Sequence, residues 1–109
     1  MSYIILTNKA DYQTDVQNEG LEIVETYEYY FFKQLKATYS IAKVIKDDIK
    51  VTLREEKDGK TYTNHIPLKF FEAYEKIEDA HEELGEIAGP DSESARLVKN
   101  TTNEITIPS

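Results

Sequence analysis

The chain has no cysteine, no tryptophan, one methionine, three prolines and four glycines in 109 residues. Without cysteine there is no disulfide framework, no thiol nucleophile and no cysteine metal cluster. No window comes near the roughly 18 apolar residues that a membrane-spanning helix needs. The first apolar run, Tyr3-Ile4-Ile5-Leu6, is too short for a secretory signal and lacks a basic lead-in. A cytoplasmic protein with no membrane partner is expected. Phosphate-binding loops, dinucleotide fingerprints and nucleophile elbows are also missing. No catalytic residue, metal site or cofactor is therefore assigned, and the chain is not expected to be an enzyme.

Histidine is scarce as well. His65 falls mid-strand among polar residues and reads as a solvated strand histidine. His81 stands in Glu78-x-x-His81, the spacing that places two ligands on one helix face in di-iron bundles. Such sites need the motif twice and this chain has it once. The plainer reading is a boundary histidine beside an acidic face.

What is present is rich in β-formers and tyrosine: 39% hydrophobic residues, with eight Tyr and four Phe. Ile49, Val51 and Leu53 alternate with Lys50, Thr52 and Arg54, the period of a half-buried strand. Asp58-Gly59 follows, a two-residue turn signal because both positions tolerate positive φ. Closing that turn pairs Val51 with Ile66 and Leu53 with Asn64, with Tyr62 on the same face. Lys50, Thr52, Arg54, Thr61, Thr63 and His65 fall on the other. The clean division into apolar and polar faces supports the register.

Upstream, 38–45 is β-rich and Lys46-Asp47-Asp48 resembles a second tight turn. A two-residue loop there pairs Val44 with Val51 and leaves Tyr39, Ile41 and Ile45 outside, whereas a three-residue loop reverses that. Tyr27-Glu28-Tyr29-Tyr30-Phe31-Phe32 carries aromatics on both parities, so a strand there has both faces occupied. A helix over 21–35 competes, but the β-branched and aromatic content favours strand. After Pro67 the period changes. Phe70, Tyr74, Ile77, Leu84 and Ile87, joined by Phe71, Ala73 and Ala80, recur at three- and four-residue spacing, with Gly89-Pro90 as the stop. The spacing predicts an amphipathic helix of about five turns whose apolar stripe lies on the sheet.

Charge is uneven. The net value is -8. Residues 1–37 hold three basic and six acidic groups, a balance of -3; residues 38–70 hold seven and five, or +2; residues 71–109 hold three and ten, or -7. Counting from Tyr30 adds Lys33 and Lys36 and brings the middle segment to +4. Cations interleaved with Tyr and Thr on a sheet face suit single-stranded nucleic acid, where rings stack on bases and cations track phosphates. The candidates are Tyr39, Lys43, Lys50, Arg54, Lys60 and His65, with one parity of the 27–32 aromatics.

The aromatic strand Tyr29-Tyr30-Phe31-Phe32, the meander, the Lys-Asp-Gly-Lys-Thr-Tyr hairpin and the passage His65-Ile66-Pro67-Leu68-Lys69-Phe70-Phe71-Glu72 follow one another in a familiar order. Over about residues 24–85 this resembles the β-β-β-β-α unit of bacterial PUR-domain proteins and, more loosely, the Whirly and positive-cofactor-four groups. The resemblance implies single-strand binding on the sheet and dimerisation. The chain departs from the pattern in being more acidic.

The expected architecture is α+β: an antiparallel sheet of about four strands with one long C-terminal amphipathic helix across it. Residues 1–20 form an N-terminal strand and polar arm, 21–89 the domain, and 90–109 a flexible tail in which Glu104 to Ile107 has the pattern of an added edge strand. Exposed sheet edges and the resemblance point to a homodimer. Two functions stay open. One is single-stranded nucleic-acid binding. The other is an acidic interaction module of the regulator or phage-inhibitor type, presenting Glu75, Glu78 and Glu82 of the 72–86 segment to a basic protein.

Overall fold

The computed structural model describes residues 2–89 and 94–100. Among the described residues seven strands, β1 (Tyr3–Asn8), β2 (Tyr12–Thr14), β3 (Leu21–Phe31), β4 (Gln34–Val44), β5 (Lys50–Lys57), β6 (Lys60–Pro67) and β7 (Ala95–Asn100), accompany one α-helix, α1 (Ile77–Ala88). The α+β class and antiparallel pairing are as expected. The single four-stranded sheet is not. There are two sheets, in the orders β1-β4-β3-β7 and β2-β5-β6.

The first sheet is the middle layer, and β4 explains why. Ala37, Tyr39 and Ile41 on one parity pack with Ala80 and Leu84 of α1. Ala42 on the other parity joins Ile4, Leu6 and Leu21 against Val51 and Leu53 of the second sheet. From Ala37 to Ala42 every residue of β4 is buried, Thr38 and Ser40 included, as a strand covered on both faces requires. Tyr3-Ile4-Ile5-Leu6 also has both faces covered, and its alternate residues join the two cores. The predicted hairpin between 38–45 and 49–53 is therefore overturned in both registers. Val44 pairs with Leu21 instead, and β4 and β5 belong to different sheets.

The segment 21–31 is strand rather than helix and folds back through Phe32-Lys33 onto β4. Both turn residues have positive φ, 50° and 63°. The β5–β6 hairpin forms with the expected register, Val51 opposite Ile66 and Leu53 opposite Asn64. Its turn residues Asp58 and Gly59 have φ of 55° and 75°.

The polar arm is partly ordered by its own side chains. Thr14 N–H donates to Asn8 Oδ1 at 2.9 Å and Thr14 Oγ1 to the Thr7 carbonyl at 2.7 Å, which turns β1 into β2. Asn18 Nδ2 donates to the Lys50 carbonyl. Gly20 is needed for close approach, since a Cβ there would stand 2.5 Å from Ile49 Cγ2.

The helix is twelve residues long, not about eighteen. Tyr74 exchanges both backbone hydrogen bonds with Tyr3 at 2.8 Å, so its amide and carbonyl are committed to the edge of β1. The helix begins only at Ile77, with Glu78 and Asp79 in its first turn where the dipole favours acids. Phe70, assigned to the apolar stripe, closes a short 3-10 turn and is 70% exposed. Gly89 ends the helix as expected, with φ of 73° and its N–H on the Gly85 carbonyl. Residues 95–100, assigned to the tail, are β7, paired with β3 from Thr26 to Phe31. The edge strand expected over 104–107 lies outside the described residues. Among the described residues no helix is long and apolar enough to cross a membrane.

Candidate nucleic-acid interface

The parity of β5 and β6 decides which side chains share a surface. Val51 and Leu53 turn inward to the core shared with the first sheet. Lys50, Thr52 and Arg54, opposite Pro67, His65 and Thr63, turn outward. Gln13 of β2 falls opposite Arg54 and extends this face. Lys50, Arg54, Thr61, Thr63 and His65 are all exposed. Thr52 Oγ1 and His65 Nδ1 share a hydrogen bond of 3.0 Å across the two strands. Glu56, opposite Thr61 toward the turn, is an acid of this face, and Asp11 and Asp15 fall opposite Glu56 and Thr52 at the same parity as Gln13.

The other candidates lie elsewhere. Tyr39 is 7% exposed beneath α1, where burial pushes its phenol up, with Tyr29 adding to the effect. It cannot stack on a base, and that assignment is corrected. Lys43 sits on the helix-facing parity of β4, between Tyr3 and Glu22 on the neighbouring strands. Lys60 is exposed but shares its parity with Tyr62, opposite to that of Lys50 and Arg54. The outer face of β5–β6 thus carries cations, hydroxyls and the His65 imidazole, without Tyr or Phe rings.

Two exposed rings adjoin at the Phe32-Lys33 turn, while Tyr62 and Phe70 are exposed elsewhere. Phe31 and Phe32 pack edge to face with centroids 4.5 Å apart, and Phe32 is 66% exposed. Lys33 and Lys36 flank them, and Arg96 of β7 lies opposite Tyr30. The aromatic run and the two lysines were visible in the sequence, but a Phe-Lys turn has none of the usual turn chemistry.

A second constellation left no sequence signal. Glu25 of β3 accepts from His81 Nε2 of α1, from Lys99 Nζ of β7 at 2.9 Å and from Tyr27 Oη at 3.1 Å. Burial alone would raise the Glu25 carboxyl. The donors from His81, Lys99 and Tyr27 outweigh it and hold the group below the usual carboxylate range. Desolvation and the adjacent Glu25 charge push the Tyr27 phenol up to about 12. His81 thus partners Glu25 across the helix–sheet junction, where the sequence had offered only Glu78. The arrangement pins α1 and β7 to β3.

The acidic candidates Glu75, Glu78 and Glu82 are exposed. Glu78 and Glu82 are one turn apart on α1, and Glu75 precedes the helix. No family model, curated protein or solved structure matches the chain.

Proposed function

We propose that the chain is a small non-enzymatic binding protein that holds single-stranded nucleic acid along the outer face of β5 and β6. One observation carries this reading: Lys50, Arg54 and His65 stand on a single exposed face together with the hydroxyls of Thr52, Thr61 and Thr63. Such a surface offers charge and hydrogen bonds to phosphates and no base-reading groove. Affinity is then set by counterion release. Two or three phosphate contacts on a single strand give a log–log salt slope of about -2. The acids elsewhere on the chain confine an anionic strand to this face.

A fluorescent single-stranded oligonucleotide titrated at several salt concentrations tests the proposal. Binding that tightens at low salt and weakens when Lys50→Ala and Arg54→Ala are combined is the expected result. No binding at low salt, or binding indifferent to that pair, overturns it.

A second reading, an acidic module for a basic protein, is supported by a separate observation. None of Glu75, Glu78, Asp79, Glu82, Glu83 or Glu86 makes an ion pair among the described residues, and the last turn of α1 contains no base. Acids left toward a helix C-terminus cost stability there. This reading predicts capture of a basic protein that is lost when Glu75, Glu78 and Glu82 become Gln. Capture that survives the triple change rejects this surface.

A further inference from the structure

Four strands end the two sheets, and they are guarded very differently. At β1, both backbone groups of Tyr3 are taken by Tyr74. The β2 strand is only three residues long. Two cations, Arg96 and Lys99, lie along β7. By contrast β6 runs for eight residues, and every residue from Lys60 to His65 is exposed. Its lysine and its proline sit at the two ends, leaving the stretch between without the charges or prolines that blunt sheet edges.

The direction of its backbone groups follows from the turn. A two-residue turn at Asp58-Gly59 makes Lys57 and Lys60 a mutually hydrogen-bonded pair, and such pairs alternate along an antiparallel ladder. The pattern is confirmed at the far end, where Leu68 N–H donates to the Ile49 carbonyl at 3.1 Å. On the other side of β5, the Thr52 carbonyl accepts from Asp15 and the Glu56 N–H donates to Asp11. The even-numbered residues of β6 therefore turn their amides and carbonyls toward β5. Thr61, Thr63 and His65 turn theirs outward, away from the sheet.

We infer that β6 pairs with β6 of a second copy of this chain, antiparallel, across a two-fold axis at Thr63. The register is fixed by counting outward groups. With Thr63 opposite its own counterpart, Thr61 faces His65 and His65 faces Thr61, giving about six backbone hydrogen bonds. Sliding by two residues in one direction brings Gly59 of the turn into the ladder. Sliding in the other brings Pro67, which has no N–H to give. In the centred register no like charges meet, because Lys60 falls opposite Ile66. The same patch on both copies makes the contact isologous and closed, so the product is a dimer rather than a fibre. It joins two three-stranded sheets into one of six, with both outer faces side by side.

Sedimentation of the full chain across a concentration series tests this directly, without nucleic acid. A concentration-dependent dimer is expected. Thr63→Pro removes an outward N–H that β5 does not use and should weaken dimerisation about tenfold or more, with circular dichroism checking that the β-sheet signal is retained. Thr63→Lys, which sets two cations at the axis, should weaken it as well. Thr63→Cys supplies a single thiol to a chain that has none. Its Cα should lie about 5.5 Å from its counterpart, within disulfide range. It should form the intermolecular disulfide faster than Glu19→Cys. A monomer at every concentration, or a dimer indifferent to both Pro and Lys at position 63, overturns the inference.

Discussion

The two hairpins of this protein are built on opposite economies. The β3–β4 hairpin closes on Phe32-Lys33, two residues with large side chains held at positive φ. That conformation costs roughly 1–2 kcal/mol per residue for an L-amino acid with a side chain. The β5–β6 hairpin closes on Asp58-Gly59, which adopts the same kind of turn with a glycine and an aspartate. The first hairpin lies in the middle layer, clamped between α1 and the second sheet, so its long strands tolerate a poor turn. The second has one face in water and its outer half fully exposed. Local turn chemistry must supply there what packing does not. A strained turn that displays Phe31, Phe32 and Lys33 is therefore a place where packing elsewhere sustains an unusual surface.

This contrast can be broken in order of expected effect. Ile41 is fully buried on β4, so Ile41→Ala should cost about 2–5 kcal/mol in denaturant unfolding. A loss below about 1 kcal/mol would mean that the clamp is not where the stability lies. Removing the tie that holds the clamp together is next. Glu25→Gln should cost about 1–2 kcal/mol near neutral pH, a value kept modest because His81 and Lys99 are about half exposed.

The sign of the pH effect follows from the same group. The Glu25 carboxyl is lower in the folded chain than its ordinary value of 4.5, so its contribution is complete above that value. The contribution fades as pH falls through the folded value, and acid titration of Glu25→Gln should lack that part of the loss. Tyr27 and Tyr74 act in the opposite limb. Burial is the main cause in both; Glu25 adds to it for Tyr27, and Glu83 and Glu72 for Tyr74, raising each phenol from 10.0 to about 12. Stability should fall between about pH 10 and about 12, in step with phenolate absorbance. Normal ionisation of every tyrosine near pH 10 would contradict the packing of α1 on the sheet.

Smaller effects sharpen the comparison of the turns. Gly59 has no neighbour within 4 Å of an added Cβ, so Gly59→Ala should cost only its backbone strain, about 1 kcal/mol. Lys33→Gly should go the other way and stabilise by up to about 1 kcal/mol. If Lys33→Gly destabilises instead, the left-handed turn is sustained by contacts of its own rather than by the clamp.

The sequence was most legible where structure is local. Alternation from Ile49 to Leu53 together with Asp58-Gly59 sufficed for the β5–β6 register, and with it the shared face of Lys50, Arg54 and His65. The failed hairpin after β4 is instructive. Both of its candidate registers stranded apolar residues on an outer face, and the reason is that β4 has no outer face. One-sided partners such as β5 cannot pair with it without wasting Tyr39 and Ile41. The helix was over-extended because three- and four-residue spacing continues through Tyr74, while the backbone there is spent on Tyr3. The Glu25 constellation joins residues 56 and 74 positions apart, with no spacing rule to reveal it. Pairing of β7 with β3 is hidden for the same reason.

The middle sheet also carries an order of assembly. Its two inner strands, β4 and β3, are neighbours in sequence and can meet by closing a two-residue loop. Its two outer strands, β1 and β7, arrive from opposite ends of the described chain and must close far longer loops, at greater entropic cost. The central hairpin is thus a template that exists before its flanks do. Whichever end docks last finds its partner already folded, and the slowest steps of folding concern the rims of the sheet rather than its centre.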